Sequence, residues 1–152
     1  MRLNRIVSII FVMVLALLTV PQMQAQKKNV LAWAAGDIKW IEMKGGPPGA
    51  MFANLSGDIM KGAYGTFVKL PAGMSNPLHS HSSDTKLIVI SGTFWIQPEG
   101  GQRKELGPGS YLFQPGKVKH MSGTGAGSDC VVFQESTGKF DFVPGDGAPA
   151  KN

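Results

Sequence analysis

The three histidines of this 152-residue chain, His79, His81 and His120, are spaced as metal ligands are. His79 and His81 stand two positions apart. On a β-strand that spacing turns both imidazoles to one face. His120 comes 39 residues after His81, beyond a turn. Two histidines from one strand and one from a neighbour can hold three positions on one side of a divalent metal. The other positions then stay open to water, substrate or dioxygen. The single cysteine, Cys130, excludes a disulfide framework within the chain and a Cys-cluster zinc ribbon. It lies in the run Cys130-Val131-Val132-Phe133 with no flanking cation, so it reads as a small buried hydrophobe rather than a reactive thiol.

Histidines so spaced need strands to hold them. The chain has 20 Gly and 10 Pro, and all but Pro21 fall after residue 25. These breakers leave no room for long helices. Between them lie short runs rich in β-branched and aromatic residues: 50–55, 64–70, 86–90, 93–96, 111–113 and 130–133. Many short strands with turns between them predict a β-sandwich or barrel. Only Val30 to Met43 has a pattern that suits a helical turn. Pro77 and the strand-like segment after His81 place the first two histidines in a β setting. The turn 114–119 ends the strand that begins at Tyr111 and leads to His120.

The spacing of Gly73, His79, His81 and Gly92 resembles the first motif of the cupins. That of Gly109, Pro115 and His120 resembles their second motif. The resemblance spans roughly residues 60–136. The strings LPAGMSNPLHSH, ISGTF and LGPGSYLFQPG resemble a group of bacterial cupins. That group is related to the cupin domain of a zinc-dependent anti-sigma factor and to acetylacetone-cleaving dioxygenases. The resemblance implies an all-β fold, a double-stranded β-helix or jelly-roll barrel, with the metal inside it. It implies His79, His81 and His120 as ligands of Fe(II) or Zn, with Mn or Ni as alternatives, and a homodimer. The usual motif has a Glu four or five residues after the second His, where this chain has Thr85 and Lys86. Its second-motif glycine comes one place early, at Gly116, and Thr124 replaces the usual Asn after the last His. Asp84 is the nearest carboxylate, either an accessory ligand or a turn former. Thr85, if it faces inward with Lys86 outward, could hydrogen-bond a metal-bound water. Trp95, Gln97 and Phe113 are candidate pocket-lining residues, with core packing as the alternative. Gln114 and Tyr111 lie nearby, and Gln134 or Glu135 is a candidate partner for a histidine N–H.

The function expected is a metal-binding cupin that acts as an oxygenase on a small dicarbonyl-like or phenolic molecule. The alternative is a non-catalytic metal- or ligand-binding module. A metal-free epimerase of this fold would need a His–Asp pair, which the sequence does not display. Residues 1–25 read as a secretory signal peptide, with Arg2 and Arg5 before an apolar run from Ile6 to Val20 and Pro21 after it. Its removal leaves 127 residues and lowers the formal charge from +5 to +3. No Lys or Arg run exceeds a pair, so the basic balance does not point to nucleic acid. The expected organisation is a signal peptide over 1–25, a cupin domain over 26–144 and a flexible tail over 145–152. The mature protein would be periplasmic or secreted, with no membrane association.

Overall fold

A computed structural model describes residues 30–146. The expected signal peptide and residues 147–152 of the expected tail lie outside the described residues. The chain divides into two units, Met1–Trp33 and Ala34–Asn152. Of the first, residues 30–33 are described and have no regular structure. Every strand among the described residues lies in the second. The helical turn expected between Val30 and Met43 is a 3-10 helix, Ala35–Asp37. No helix among the described residues is long and apolar enough to cross a membrane.

The β-branched runs form strands where breakers bound them. A six-stranded antiparallel sheet runs in the order β1 (Ile41–Glu42), β2 (Met51–Gly57), β3 (Tyr64–Leu70), β10 (Cys130–Ser136), β5 (Thr85–Ser91), β8 (Tyr111–Gln114). A five-stranded sheet runs in the order β11 (Val143–Pro144), β4 (Ser75–Ser80), β9 (His120–Thr124), β6 (Phe94–Pro98), β7 (Lys104–Leu106). This is the expected jelly roll. The runs at 64–70, 111–113 and 130–133 begin where β3, β8 and β10 begin. Strand β7, with one apolar residue in Lys104-Glu105-Leu106, gave no pattern in the sequence.

The inner face of the larger sheet changes character along its strands. Val68, Val132 and Val89 form one cross-strand row, all buried. The next row is Thr66, Gln134, Leu87 and Leu112. The last is Tyr64, Ser136, Thr85 and Gln114, all polar-bearing. The core is therefore apolar at one end, where Cys130 sits fully buried, and polar at the other. Burial pushes the Cys130 thiol up to about 11, in keeping with a structural role. In the smaller sheet His79 faces His120, and His120 faces Pro98, in one row. Thr85, Gln114 and Gln134 of the larger sheet and His79 and His120 of the smaller line one cavity.

Two glycines of the expected motifs have separate physical causes. Gly92 turns β5 into β6 with φ at +73°, and a Cβ there would lie 2.5 Å from the Asp129 oxygen. Gly116 needs space: a Cβ would lie 2.7 Å from the Ser82 oxygen. The left-handed residue of that turn is Lys117, with φ at +66°. The glycine that appears one place early thus marks a close approach, and the strain falls on its neighbour.

Candidate metal centre

The structure brings His79, His81 and His120 together, with ligand-type nitrogens all within 4.8 Å of one another. His79 lies on β4, opposite His120 on β9, with ring centroids 4.2 Å apart. His81 lies one residue beyond the end of β4, and its ring centroid is 5.1 Å from that of His79 and 5.4 Å from that of His120. The register between β4 and β9 shifts between Asn76 and His79. Pro77 lies in that interval and has no N–H for a ladder bond.

Each ring is oriented by a main-chain carbonyl. The Nδ1 of His79 reaches the Pro77 oxygen at 2.7 Å, that of His81 the Asp141 oxygen at 2.5 Å, and that of His120 the Val118 oxygen at 3.1 Å. A carbonyl only accepts, so Nδ1 carries the proton in each ring and the lone pair falls on Nε2. Three neutral imidazoles fixed in this tautomer suit a divalent metal. Burial lowers the pKa of His81 and of His120 below 6.5, and the neighbouring His81 lowers His120 further. Neutral rings are the form a metal requires.

The segment from Gly138 to Asp146 straps this site, which the sequence did not reveal. Phe142 stacks on His79 at 4.2 Å with planes 12° apart, and Phe140 lies 5.3 Å from His81. The Asp141 carboxylate accepts the Ser82 N–H at 2.8 Å and also the Ser82 hydroxyl. Val143 pairs with Ser80 and Pro144 with His79. The Phe140 N–H donates to the Ile59 oxygen and the Gly145 N–H to the Leu78 oxygen, each at 2.8 Å. An aromatic at every second position, Phe140 and Phe142, was the available signal.

The histidines face a cavity of about 90 Å³. A water needs about 10–15 Å³ by the same measure, so the space suits a molecule of fewer than about ten non-hydrogen atoms. Val68, Leu87, Phe94, Leu112 and Val132 make its apolar wall. Asn76, Thr85, Gln114, Ser122 and Gln134 supply polar groups. No Asp, Glu, Lys or Arg among the described residues lines it.

The other candidate residues divide. Thr85 is buried and lines the cavity, while Lys86 faces out and pairs with Glu135 at 3.3 Å. Asp84 is exposed, and its carboxylate accepts the Gly116 N–H at 2.7 Å. It acts in the turn and is not among the clustered ligand groups. Trp95 and Gln97 do not line the cavity. Phe94 and Ile96 fill the core, so the two-residue period of β6 turns Trp95 and Gln97 to the other face. There the Arg103 guanidinium lies 4.3 Å over the Trp95 ring, and Gln97 donates to the Gly101 oxygen. Phe113 is 48% exposed and also lies outside, because Leu112 and Gln114 take the inward parity of β8. Gln134 faces in, but it donates to the Tyr64 hydroxyl at 2.6 Å rather than serving a histidine. Carbonyls orient the rings instead.

The family model described as Domain of unknown function (DUF4437) matches residues 21–143. No curated protein matches the sequence. Among solved structures, an RmlC-like cupin protein from Ralstonia eutropha is similar at 20% identity with a TM-score of 0.63, over 82% of this chain and 78% of that one. The polyketide cyclase RemF from Streptomyces resistomycificus is similar at 20% identity with a TM-score of 0.61, over 76% of this chain and 85% of that one. The DMSP lyase DddQ from Ruegeria pomeroyi is similar at 20% identity with a TM-score of 0.51, over 74% of this chain and 59% of that one. At such identities the likeness carries the cupin fold and no activity.

Proposed function

The chain belongs to the DUF4437 family, and from that membership and its site we propose an exported cupin that binds one divalent metal through His79, His81 and His120. The carrying observation is that carbonyls hold all three Nδ1 protons, so the lone pairs lie on the three Nε2 atoms. The described residues that line the cavity carry no formal charge, so a metal in it would attract an oxygen-donor anion. Its size and apolar wall favour a small enolisable dicarbonyl or phenol. Bound Fe(II) would supply the dioxygen chemistry of an oxygenase, and bound zinc Lewis acidity alone. Asn76, Ser122 and Thr85 would orient the molecule by hydrogen bonds, and the apolar wall would exclude water. The finer kinship, with acetylacetone-cleaving dioxygenases and the anti-sigma cupin, rests on the sequence strings and the histidine set.

The second reading is a binding module without catalysis. The observation in its favour is that no carboxylate, lysine or arginine among the described residues lines the cavity to move a proton. Activity of the loaded protein on β-diketones or catechols, read as oxygen uptake, separates the two. Export is proposed from the N-terminal pattern and a homodimer from the resemblance. Ile88, Tyr111 and Phe113, all exposed on the larger sheet, support the dimer. Sedimentation of the mature protein should then give twice the chain mass, and a single-chain mass at micromolar concentration would refute the dimer.

The test of the metal site is elemental analysis of protein recovered from the periplasm. One divalent ion per chain is expected, with the first 25 residues absent by mass. The His79→Ala/His81→Ala variant should lose the metal. No metal in the parent protein, or equal metal in the variant, would sink the reading.

A further inference from the structure

We propose that the ligand of this site is an amphiphile, with an oxygen-donor head on the metal and an uncharged apolar tail that leaves the cavity along a proline-lined groove; this rests on the metal site proposed above. The groove, about 370 Å³, lies where β3 ends and β4 begins. Pro47, Pro48, Pro71, Ala72 and Pro77 line it together with Asn76. Pro47 and Asn76 line the cavity as well, so the two spaces adjoin there. No charged residue among the described residues lines either space. The cavity also has a direction. Its histidines stand at the polar end of the barrel, and its Val68, Leu70 and Val132 at the apolar end. Leu70 precedes Pro71 of the groove in the chain. A head on the metal therefore sends its tail over an apolar wall toward the groove. The cavity alone, at about 90 Å³, is too small for a long chain, and the groove supplies the remaining length. A charged tail would lose its hydration there and find no partner.

The walls of the groove are held in place before any ligand arrives. On one side, the Gly46 N–H donates to the Met43 oxygen at 2.9 Å and the Ala50 N–H to the Pro47 oxygen at 3.0 Å. Met43 itself packs into the core. On the other side, the Ala72 N–H donates to the Asp129 carboxylate at 3.1 Å and the Gly73 N–H to the Gly125 oxygen at 2.9 Å. The two sides meet at Gly49, where a Cβ would lie 3.1 Å from the Pro71 ring. Prolines fix the backbone and offer no N–H, so this surface presents mainly apolar rings to a ligand. At the junction the Asn76 amide donates to the Ser122 hydroxyl at 3.3 Å, a polar contact that falls between head and tail. Rigid walls keep the protein's share of the ordering cost small, so a flexible tail can contribute net affinity.

Calorimetric titration of the zinc-loaded mature protein with aceto-, hexano- and decanohydroxamate tests the inference, because these probes share one metal-binding head and differ only in tail. Hexanohydroxamate nearly fills the cavity, so the further methylenes of decanohydroxamate must lie outside it. Decanohydroxamate should bind at one per chain and at least about tenfold more tightly than hexanohydroxamate. Pro48→Glu and Ala72→Glu, at two exposed groove positions, should each remove most of that gain and leave acetohydroxamate unchanged. Gln102→Glu, an exposed control outside the groove, should match the parent. Circular dichroism checks the fold of each variant. Equal affinity for the two longer probes, or a gain that both groove variants keep, would overturn the tail inference and leave the metal site standing. A parent that holds no zinc would overturn both. Should neither groove variant fold, the chain-length series in the parent decides alone.

Discussion

His79 is 1% exposed and His120 is 2% exposed, yet each ring is an ionisable group that the fold must keep uncharged. The carbonyls of Pro77, Val118 and Asp141 fix the tautomers, and burial opposes the charged forms of His81 and His120. This has a consequence for the metal-free protein. Unfolded, both histidines titrate near 6.5; folded, they titrate lower. Between those values the unfolded chain binds more protons, so acid favours unfolding. Their contribution is complete above about pH 6.5 and is lost as pH falls from there through the folded pKa values. The melting temperature of chelator-treated protein should fall between pH 7.5 and pH 5. A flat or rising profile would contradict the sign. At this scale the ligand types and their spacing were legible in the sequence. The partners of the Nδ1 atoms were not, because a main-chain carbonyl has no residue type to read.

The strap from Gly138 to Asp146 acts at the scale of an element. It forms only the two-residue strand β11, yet Asp141 grips the His81–Ser82 corner twice, by its carbonyl and by its carboxylate. Asp141→Ala removes the carboxylate grip on Ser82 and leaves the carbonyl less fixed. The expected result is metal binding about tenfold weaker, with a stability loss of about 1 kcal/mol for a partly exposed group. A zinc competition assay together with a thermal melt checks both numbers. Unchanged zinc affinity would show that the strap does not position His81. Most strands were visible beforehand as apolar or β-branched runs, and β3 began and ended where the run did. Sequence pattern located the strands but not their parity. On β6 and β8 both faces carry large apolar groups, so alternation alone cannot say which face is inside. For that reason Trp95, Gln97 and Phe113 point away from the cavity and Leu112 and Gln114 into it.

For the whole molecule, the cavity joins the two sheets at their polar ends. A metal held by His79 and His120 of the smaller sheet and by His81, one residue beyond β4, would find these three rings together only in the folded state. Binding to the folded state alone stabilises by about 2.7 kcal/mol when the free metal is at a hundred times its dissociation constant. For a domain of this size that corresponds to roughly 10 °C in melting temperature. The parent protein should show this rise with zinc, and the His79→Ala/His81→Ala variant should not. An equal rise in the variant would place the metal elsewhere.

From residue types and spacing alone, the chain specified an all-β fold, three histidines that could share one site and the absence of a disulfide within the chain. Those properties follow from periods and turns that local sequence encodes directly. Tertiary structure alone decided the inward parity of β6 and β8, the closure of the site by Phe140, Asp141 and Phe142, and the placing of Gln114 against His120. The closure depends on contacts between segments distant in sequence, 63 positions apart for His79 and Phe142, whereas Gln114 meets His120 across a turn of six positions whose path the sheets set. Such contacts exist only once both sheets have closed around a common core.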